Sequence, residues 1–332
     1  MKRLIYLKSL KNNFKKISNT IFPILIGLFF IYLTLEDTDK VIRQEIINNF
    51  KKVDYTIILI SISMAIMSHI IRAIRWKTML KPLSYNPKTV NLILSVFISY
   101  LSNLAIPRSG EVLRATVLSK YENIPFSKGF GTIIIERFID LIILFIIIII
   151  AMTLNLELIN SFLKIGEFNL SMILILLFTL FTLIIFLRII YKSKNQYLIK
   201  LKIFLNEFKE GLISAFKIKE KSYFFSLTLL IWVLYIGMFY VMKWCMIETA
   251  NLSLESLLLG FTIGTLSLTI SNGGIGIYPY LVSQVFIFYG IKYDTSLSFG
   301  WIIWASHTIV VVVLGAISFF ILPLFNMKSK RH

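Results

Sequence analysis

Cysteine occurs once in this 332-residue chain, as Cys245 within an apolar run, so there is no disulfide framework, no CxxC pair and no thiolate metal site. That argues against redox chemistry. Histidine occurs three times, without HExxH or a carboxylate-rich metal motif. His69 and His307 stand alone in apolar runs, where a satisfied hydrogen bond is a simpler expectation than a ligand role. No strand-to-helix GxGxxG and no P-loop Lys-Ser/Thr is present, so no nucleotide-driven step and no cofactor are expected. Acidic residues are few, 17 against 35 basic, giving a net charge of +18. In a soluble chain such an excess would suggest nucleic acid. Here the basic residues lie between apolar runs and at the termini, as in membrane proteins, and no nucleic-acid partner is expected.

What the chain has in abundance is apolar length. It is 57% hydrophobic, with a mean hydropathy of +0.80, and its charge-free windows are too long for a soluble domain to expose or a small core to absorb. The expected fold is an all-α polytopic membrane protein of about six spanning helices, near 21–35, 57–73, 131–154, 171–190, 223–246 and 299–322. The basic leader resembles a signal peptide n-region, yet Glu36-Asp37-Thr38-Asp39 follows the first apolar run without a small-residue cleavage site, so an uncleaved helix is expected. Lys and Arg crowd the leader, the 72–88 and 192–221 connections and the 328–331 tail. By the positive-inside rule this is a protein of the cytoplasmic membrane with both termini cytoplasmic. Residues 200–221 alternate apolar and basic side chains at helical spacing, as in an amphipathic helix on an anionic leaflet.

Two further apolar segments, 90–107 and 254–289, are broken by Pro or Gly. The charge assignment holds only if both are re-entrant hairpins, one entering from each side. They also read as copies of each other. Laying Asn103 on Asn272 without a gap pairs Ser102 with Ser271, Ile106 with Ile275, Ser127 with Ser296, and Phe130-Gly131 with Phe299-Gly300. The expectation is one integral membrane domain over 1–332 built as an inverted repeat, roughly 20–155 and 170–325. Many transporters use such repeats to give two access routes to one midplane site. Broken helices at membrane depth need protein or a water-filled cavity to satisfy their freed backbone groups, so the breaks point to a cavity.

Ionisable residues gather in the first copy. Glu136, Arg137 and Asp140 interrupt an otherwise apolar run, a costly placement that usually marks function. On a helix they share a face and can partly neutralise one another. The alternative is an ion pair that pins two membrane helices. Arg108 follows Pro107 at the first break, and Glu111 and Arg114 are three apart on the short helix expected after it. A half-helix N-terminus with an arginine suits phosphate or carboxylate, although Arg108 and Glu111 could instead anchor the hairpin at the interface or pair with the stretch Glu136 to Asp140. Asn103 before the first break, and Asn272, Gly273 and Gly274 at the second, are the remaining candidate contacts. The glycines fit a sharp reversal. Arg72 and Arg75, beside Trp76, read as interfacial anchors at the cytoplasmic end of the second span.

Ile71-Arg72-Ala73-Ile74-Arg75-Trp76, then Asn103 through Arg114, then Glu136-Arg137-Phe138-Ile139-Asp140, then Asn272-Gly273-Gly274-Ile275-Gly276 resemble, in order and spacing, the lysylphosphatidylglycerol synthase transmembrane region. The resemblance covers nearly the whole chain. Where many relatives carry a Glu after the GGIG motif, this sequence has Tyr278-Pro279, which puts that carboxylate's role in doubt here. In multidomain members a soluble aminoacyltransferase domain follows, and none is expected before His332. The resemblance therefore implies lipid translocation without synthase activity, with no catalytic residue. Arg108, Glu111, Arg114, Glu136, Arg137 and Asp140 would line the path of a lipid with an anionic or phosphate head group. Rival readings are a membrane glycosyltransferase using a polyprenyl-phosphate donor, with Asp37 as an external carboxylate, and an accessory subunit. Homo-oligomerisation or a partner enzyme is left open.

Overall fold

A computed structural model describes residues 40–155, 196–269 and 272–328. The expected spans at 21–35 and 171–190 and the Glu36 to Asp39 loop lie outside the described residues. Among those described, all regular structure is helical: α1 (Lys40–Lys52), α2 (Tyr55–Leu80), α3 (Thr89–Ala105), α4 (Ser109–Tyr121), α5 (Phe126–Leu154), α6 (Gln196–Ile213), α7 (Lys221–Val241), α8 (Leu254–Ser267), α9 (Ile277–Phe288) and α10 (Tyr293–Lys328).

Local chemistry sets the boundaries. Asp54 caps α2 by accepting the Thr56 amide N–H at 2.8 Å, and the backbone and hydroxyl of Thr56 hold its carboxyl below the usual carboxylate range. Ser253 caps α8 through the Ser256 amide at 3.2 Å. Pro107 and Pro125 stand in the breaks on either side of α4, where proline's missing N–H and fixed φ do no harm. Three helical stretches, Tyr55–Leu83, Lys221–Cys245 and Tyr293–Met327, are long and apolar enough to cross a membrane. The second half of α5, beyond Asp140, is an unbroken apolar run to Met152.

The 90–107 segment differs from expectation. It is a single helix, α3, and the return leg of the hairpin is the more polar α4, which hydropathy did not single out. Residues 254–289 do break as anticipated, into α8 and α9. Gly273 and Gly274 adopt φ of 62° and 74° at this break, and a Cβ on Gly273 would stand 2.3 Å from Leu104 Cδ2. Glycine is therefore required both by the left-handed backbone and by the approach of the two hairpin tips. Trp304 on α10 donates to the Gly273 carbonyl at 2.7 Å and fixes the second tip.

A long–short–short–long order occurs twice, as α2 to α5 and as α7 to α10. Packing follows the same order: α2 on α3 and α7 on α8, α3 on α4 and α8 on α9, α4 on α5 and α9 on α10. Contacts also run crosswise, with α3 against α10 and α8 against α5, while α2 and α7 pack extensively along each other. Each long closing helix is tied to the base of the other hairpin. Asn326 near the end of α10 exchanges two side-chain hydrogen bonds with Asn91 of α3, at 3.0 and 2.9 Å. Asn155 at the end of α5 accepts from Tyr289 at the end of α9.

Replacing Asn91 alone by leucine leaves the buried Asn326 amide short of a partner, at about 1–3 kcal/mol. The expected result is a lower melting temperature in detergent for Asn91→Leu, recovered in part in the Asn91→Leu/Asn326→Leu pair, because the hydrogen bond from Asn91 to Glu122 is lost in both. A double variant no better than the single would mean that Asn326 contributes through something other than this exchange.

Helix α6 is not a free surface helix. It packs along the start of α5, where Ser127 donates to Glu207 and Lys128 pairs with Glu210 at 2.8 Å. That contact holds the Glu210 carboxyl below its ordinary range. The helix expected to lie on the leaflet is thus also strapped to the bundle.

Candidate functional site

The charged residues of the first copy meet between α2, α4 and α5, with α7 and α3 closing the ring. Glu136 Oε1 accepts from Arg72 Nη1 at 2.7 Å and faces Arg75 Nη2 at 3.3 Å. Its Oε2 accepts from Arg114 Nη2 at 3.0 Å. Asp140, one turn further along α5, binds Arg75 Nη1 through Oδ1 and Arg72 Nη1 through Oδ2, both at 2.8 Å. Spacing of four residues puts the two carboxylates on one face. The side chains of Arg75 and Glu136 are fully buried, those of Arg114 and Arg72 are 1% and 2% exposed, and that of Asp140 is 11% exposed.

Neutral groups complete the shell. Tyr235 on α7 accepts from Arg72 Nη2 at 3.1 Å and shares a hydrogen bond with Tyr100 of α3 at 3.2 Å. Thr228, one and a half to two turns earlier on α7, accepts from Arg75 Nη1 at 3.4 Å. The guanidinium of Arg114 lies 4.0 Å over the Trp76 ring, and the Trp76 indole donates to Thr132 of α5 at 2.9 Å. Three guanidiniums face two carboxylates, so the cluster carries one excess positive charge inside the helix bundle.

Several expectations are corrected here. Arg72 and Arg75 are not interfacial anchors. Both are buried and bind the carboxylates of α5, because a guanidinium can satisfy two acid groups at once. Arg137 does not neutralise Asp140 on its own helix. It points toward α4, where its Nη2 meets Glu111 Oε1 at 3.0 Å, and Arg114, three residues from Glu111, is turned away to Glu136. The pairs inside each helix are thus exchanged for pairs between helices, which tie α4 to α5.

Asn103 serves the hairpin turn, accepting the Gly110 amide N–H at 2.7 Å, while the Ser109 amide bonds to the Ile106 carbonyl. Two of the amides expected to be free for a ligand are therefore engaged. Arg108 stands at the tip with φ 61°, is exposed, and makes no ion pair among the described residues. Gly273 and Gly274 form the opposing tip, with Asn272 in the same turn. His307 Nε2 bonds to Ser61 Oγ at 3.0 Å, as anticipated. His69 differs: its Nδ1 is buried without a hydrogen-bond partner among the described residues, and its ring lies tilted against Tyr100 with the centroids 4.2 Å apart. Tyr235 and Thr228 gave no sequence signal beyond a hydroxyl in an apolar span. Trp76 had one, its place beside the two arginines.

Fold and cluster together define a helical integral membrane protein with ionised groups held inside its helix bundle. The chain belongs to the family described as the lysylphosphatidylglycerol synthase TM region, which matches residues 20–315. A UPF0104 membrane protein of Pyrococcus horikoshii is 31% identical over 171 residues, which cover 49% of this chain and 50% of that protein. A UPF0104 membrane protein of Methanocaldococcus jannaschii is 29% identical over 130 residues, 38% of this chain and 37% of that one. Glycosyltransferase AglD of Haloferax volcanii is 31% identical over 100 residues, 30% of this chain and 16% of that protein. The chain thus spans half or less of the length of these curated relatives. No solved structure matches it. Family and relatives mark a membrane protein of lipid or glycolipid metabolism or transport.

Proposed function

We propose that this chain moves a lipid with an anionic or phosphate head group between the leaflets of the cytoplasmic membrane, with both termini on the cytoplasmic side. The observation that carries this reading is the excess of guanidinium over carboxylate at the inner hairpin, headed by an exposed Arg108 that makes no ion pair among the described residues. Arg108 makes the first contact with the head group. The Arg137–Glu111 pair beyond it is partly exposed, at 33% and 16%, and can exchange partners. Behind both, the buried arginines of α2 and α4 supply a positive field and hold the hairpin in place. The two long–short–short–long runs, with their tips in contact at Leu104 and Gly273, support an inverted repeat whose re-entrant hairpins alternate access to the two leaflets. With no ATPase motif in the sequence, movement is downhill, coupled to a gradient or to synthesis on one face.

The test is leaflet exchange of fluorescent lipids in proteoliposomes, comparing an anionic with a zwitterionic head group. Arg108→Ala removes an exposed side chain with no ion pair among the described residues, so protein level and melting temperature are expected to stay unchanged. Exchange of the anionic lipid should fall about tenfold, the worth of one charge-assisted hydrogen bond. Equal exchange by wild type and Arg108→Ala, or none above empty liposomes, refutes the reading.

The second reading, a glycosyltransferase using a polyprenyl-phosphate donor, is favoured by the match to Glycosyltransferase AglD. Its mark would be turnover of a lipid-linked sugar that is lost in Asp37→Asn.

A further inference from the structure

We propose that each head group crosses together with one proton, carried on Glu111, so that the chain works as a proton-coupled symporter. This coupling rests on the lipid-translocating reading above and identifies the gradient that drives it. Three carboxylates stand on α4 and α5 around the inner hairpin, and they differ in how many cations hold them. Glu136 meets arginines from α2 and α4, and Asp140 meets both Arg72 and Arg75, so losing one contact leaves either of them ion-paired. Glu111 has a single cation among the described residues, Arg137, with Nη2 to Oε1 at 3.0 Å. One exchange of partner strips it of its counter-charge.

The pair is also half used. Glu111 Oε2 and Arg137 Nε are both buried without a hydrogen-bond partner among the described residues. Nε and Nη2 lie on one edge of the guanidinium, an edge that can hold an oxyanion through two bonds and here holds the carboxylate through one. A phosphate can take both donors and displace Glu111.

No second cation is placed to replace Arg137. Helix α4 packs on α3 and α5. The one titratable side chain of α3 is Tyr100. On α5, Glu136 and Asp140 are held by Arg72, Arg75 and Arg114, and Lys128 pairs with Glu210. On α4 itself, Arg114 turns to Glu136, Lys120 and Tyr121 lie at its far end, and Arg108 before it contacts the head group in the reading above. Arg72 and His69 of α2 stand behind Arg137.

The cycle balances in charge and protons. A phosphate oxygen replaces Glu111 on Arg137, and the freed carboxylate, now beside a second anion, takes a proton from water on the entry side. Its new O–H donates to the phosphate, a bond that the carboxylate cannot make. On the exit side the phosphate leaves, the proton passes to water there, and Glu111 returns to Arg137. Each turn moves one head group and one proton, with no net charge when the head group is singly charged. Proton and head group therefore tighten each other's binding by the same factor.

Titration calorimetry of the solubilised protein with dihexanoylphosphatidylglycerol counts the proton, since heats in buffers of different ionisation enthalpy differ by the protons taken up. Wild type is expected to take up about one proton per probe bound, with a Kd that rises about tenfold per pH unit around neutrality. Glu111→Gln keeps an acceptor for Arg137 and cannot titrate. It should bind with no uptake and a Kd independent of pH. Binding by wild type without proton uptake overturns the coupling, as does uptake that persists in Glu111→Gln. Proteoliposomes separate this from translocation itself. Each unit of pH gradient should enrich phosphatidylglycerol about tenfold in the leaflet facing the alkaline side, and a potassium diffusion potential should leave its distribution unchanged. Exchange that ignores the pH gradient sinks the coupling and leaves translocation standing. Proton uptake on binding, in a protein that exchanges no lipid, does the reverse.

Discussion

Replacing Glu136 with alanine is expected to cut the yield of folded protein by more than an order of magnitude. Glu136 is fully buried and binds arginines from α2 and α4 at once. Its loss leaves Arg114 without an ion pair among the described residues, and Arg72 and Arg75 sharing only Asp140. Breaking a buried pair by removing one partner costs about 3–5 kcal/mol, because the charge left behind stays dehydrated. Removing a cation with the anion should recover much of the loss, so Glu136→Ala with Arg114→Leu is expected to be better folded than Glu136→Ala alone. Monodisperse protein recovered after detergent extraction measures both. Normal recovery of Glu136→Ala with lost lipid exchange would make this carboxylate an exchangeable part of the path instead of a pin.

That contrast separates two kinds of charge in one cluster. Arg72, Arg75, Arg114, Glu136 and Asp140 are buried and ion-paired to one another, as befits residues that hold three helices together. Arg108 at the tip and the partly exposed Arg137–Glu111 pair are the ones a ligand can reach without dismantling the bundle.

How legible this was from the sequence depends on range. The four long helices among the described residues announce themselves by apolar length, and the second break by its glycines, since both signals are local. The members of the charged site are also legible, because charge inside an apolar run is conspicuous whatever its partners. Its wiring is not. Spacing along a helix suggested Arg137 with Asp140 and Glu111 with Arg114, with a pairing of Glu111 to the 136–140 stretch as the alternative; the structure takes that alternative, as Glu111 with Arg137, and turns Arg114 to Glu136, a choice that only the packing of α2, α4 and α5 decides. Arg72 and Arg75 misled for a related reason: an arginine at the end of an apolar run looks the same whether it faces head groups or a carboxylate 65 residues later. The polar return leg α4 escaped hydropathy because a helix lined by its neighbours need not be apolar.

Gly110→Ala is expected to abolish lipid exchange by opening the first hairpin, a larger effect than losing Arg108 itself. A Cβ at this position would lie 2.3 Å from both the carbonyl oxygen and the hydroxyl of Ser99 on α3. One of these is backbone, so the helices must part. Separation also pulls the Gly110 amide from Asn103 and strains the Ser102–Ser109 contact, the two links that define the turn carrying Arg108. Overpacking of this kind costs about 1–3 kcal/mol, enough to lower the melting temperature while leaving folded protein to assay. The cost falls on geometry: α4 carries Glu111 and Arg114 and starts directly after Arg108, so a shift of the helix moves every contact between hairpin and cluster at once. Exchange should therefore drop to the level of empty liposomes, below that of Arg108→Ala. Anionic-lipid exchange in Gly110→Ala equal to wild type would mean that the closed hairpin is no part of the translocating state.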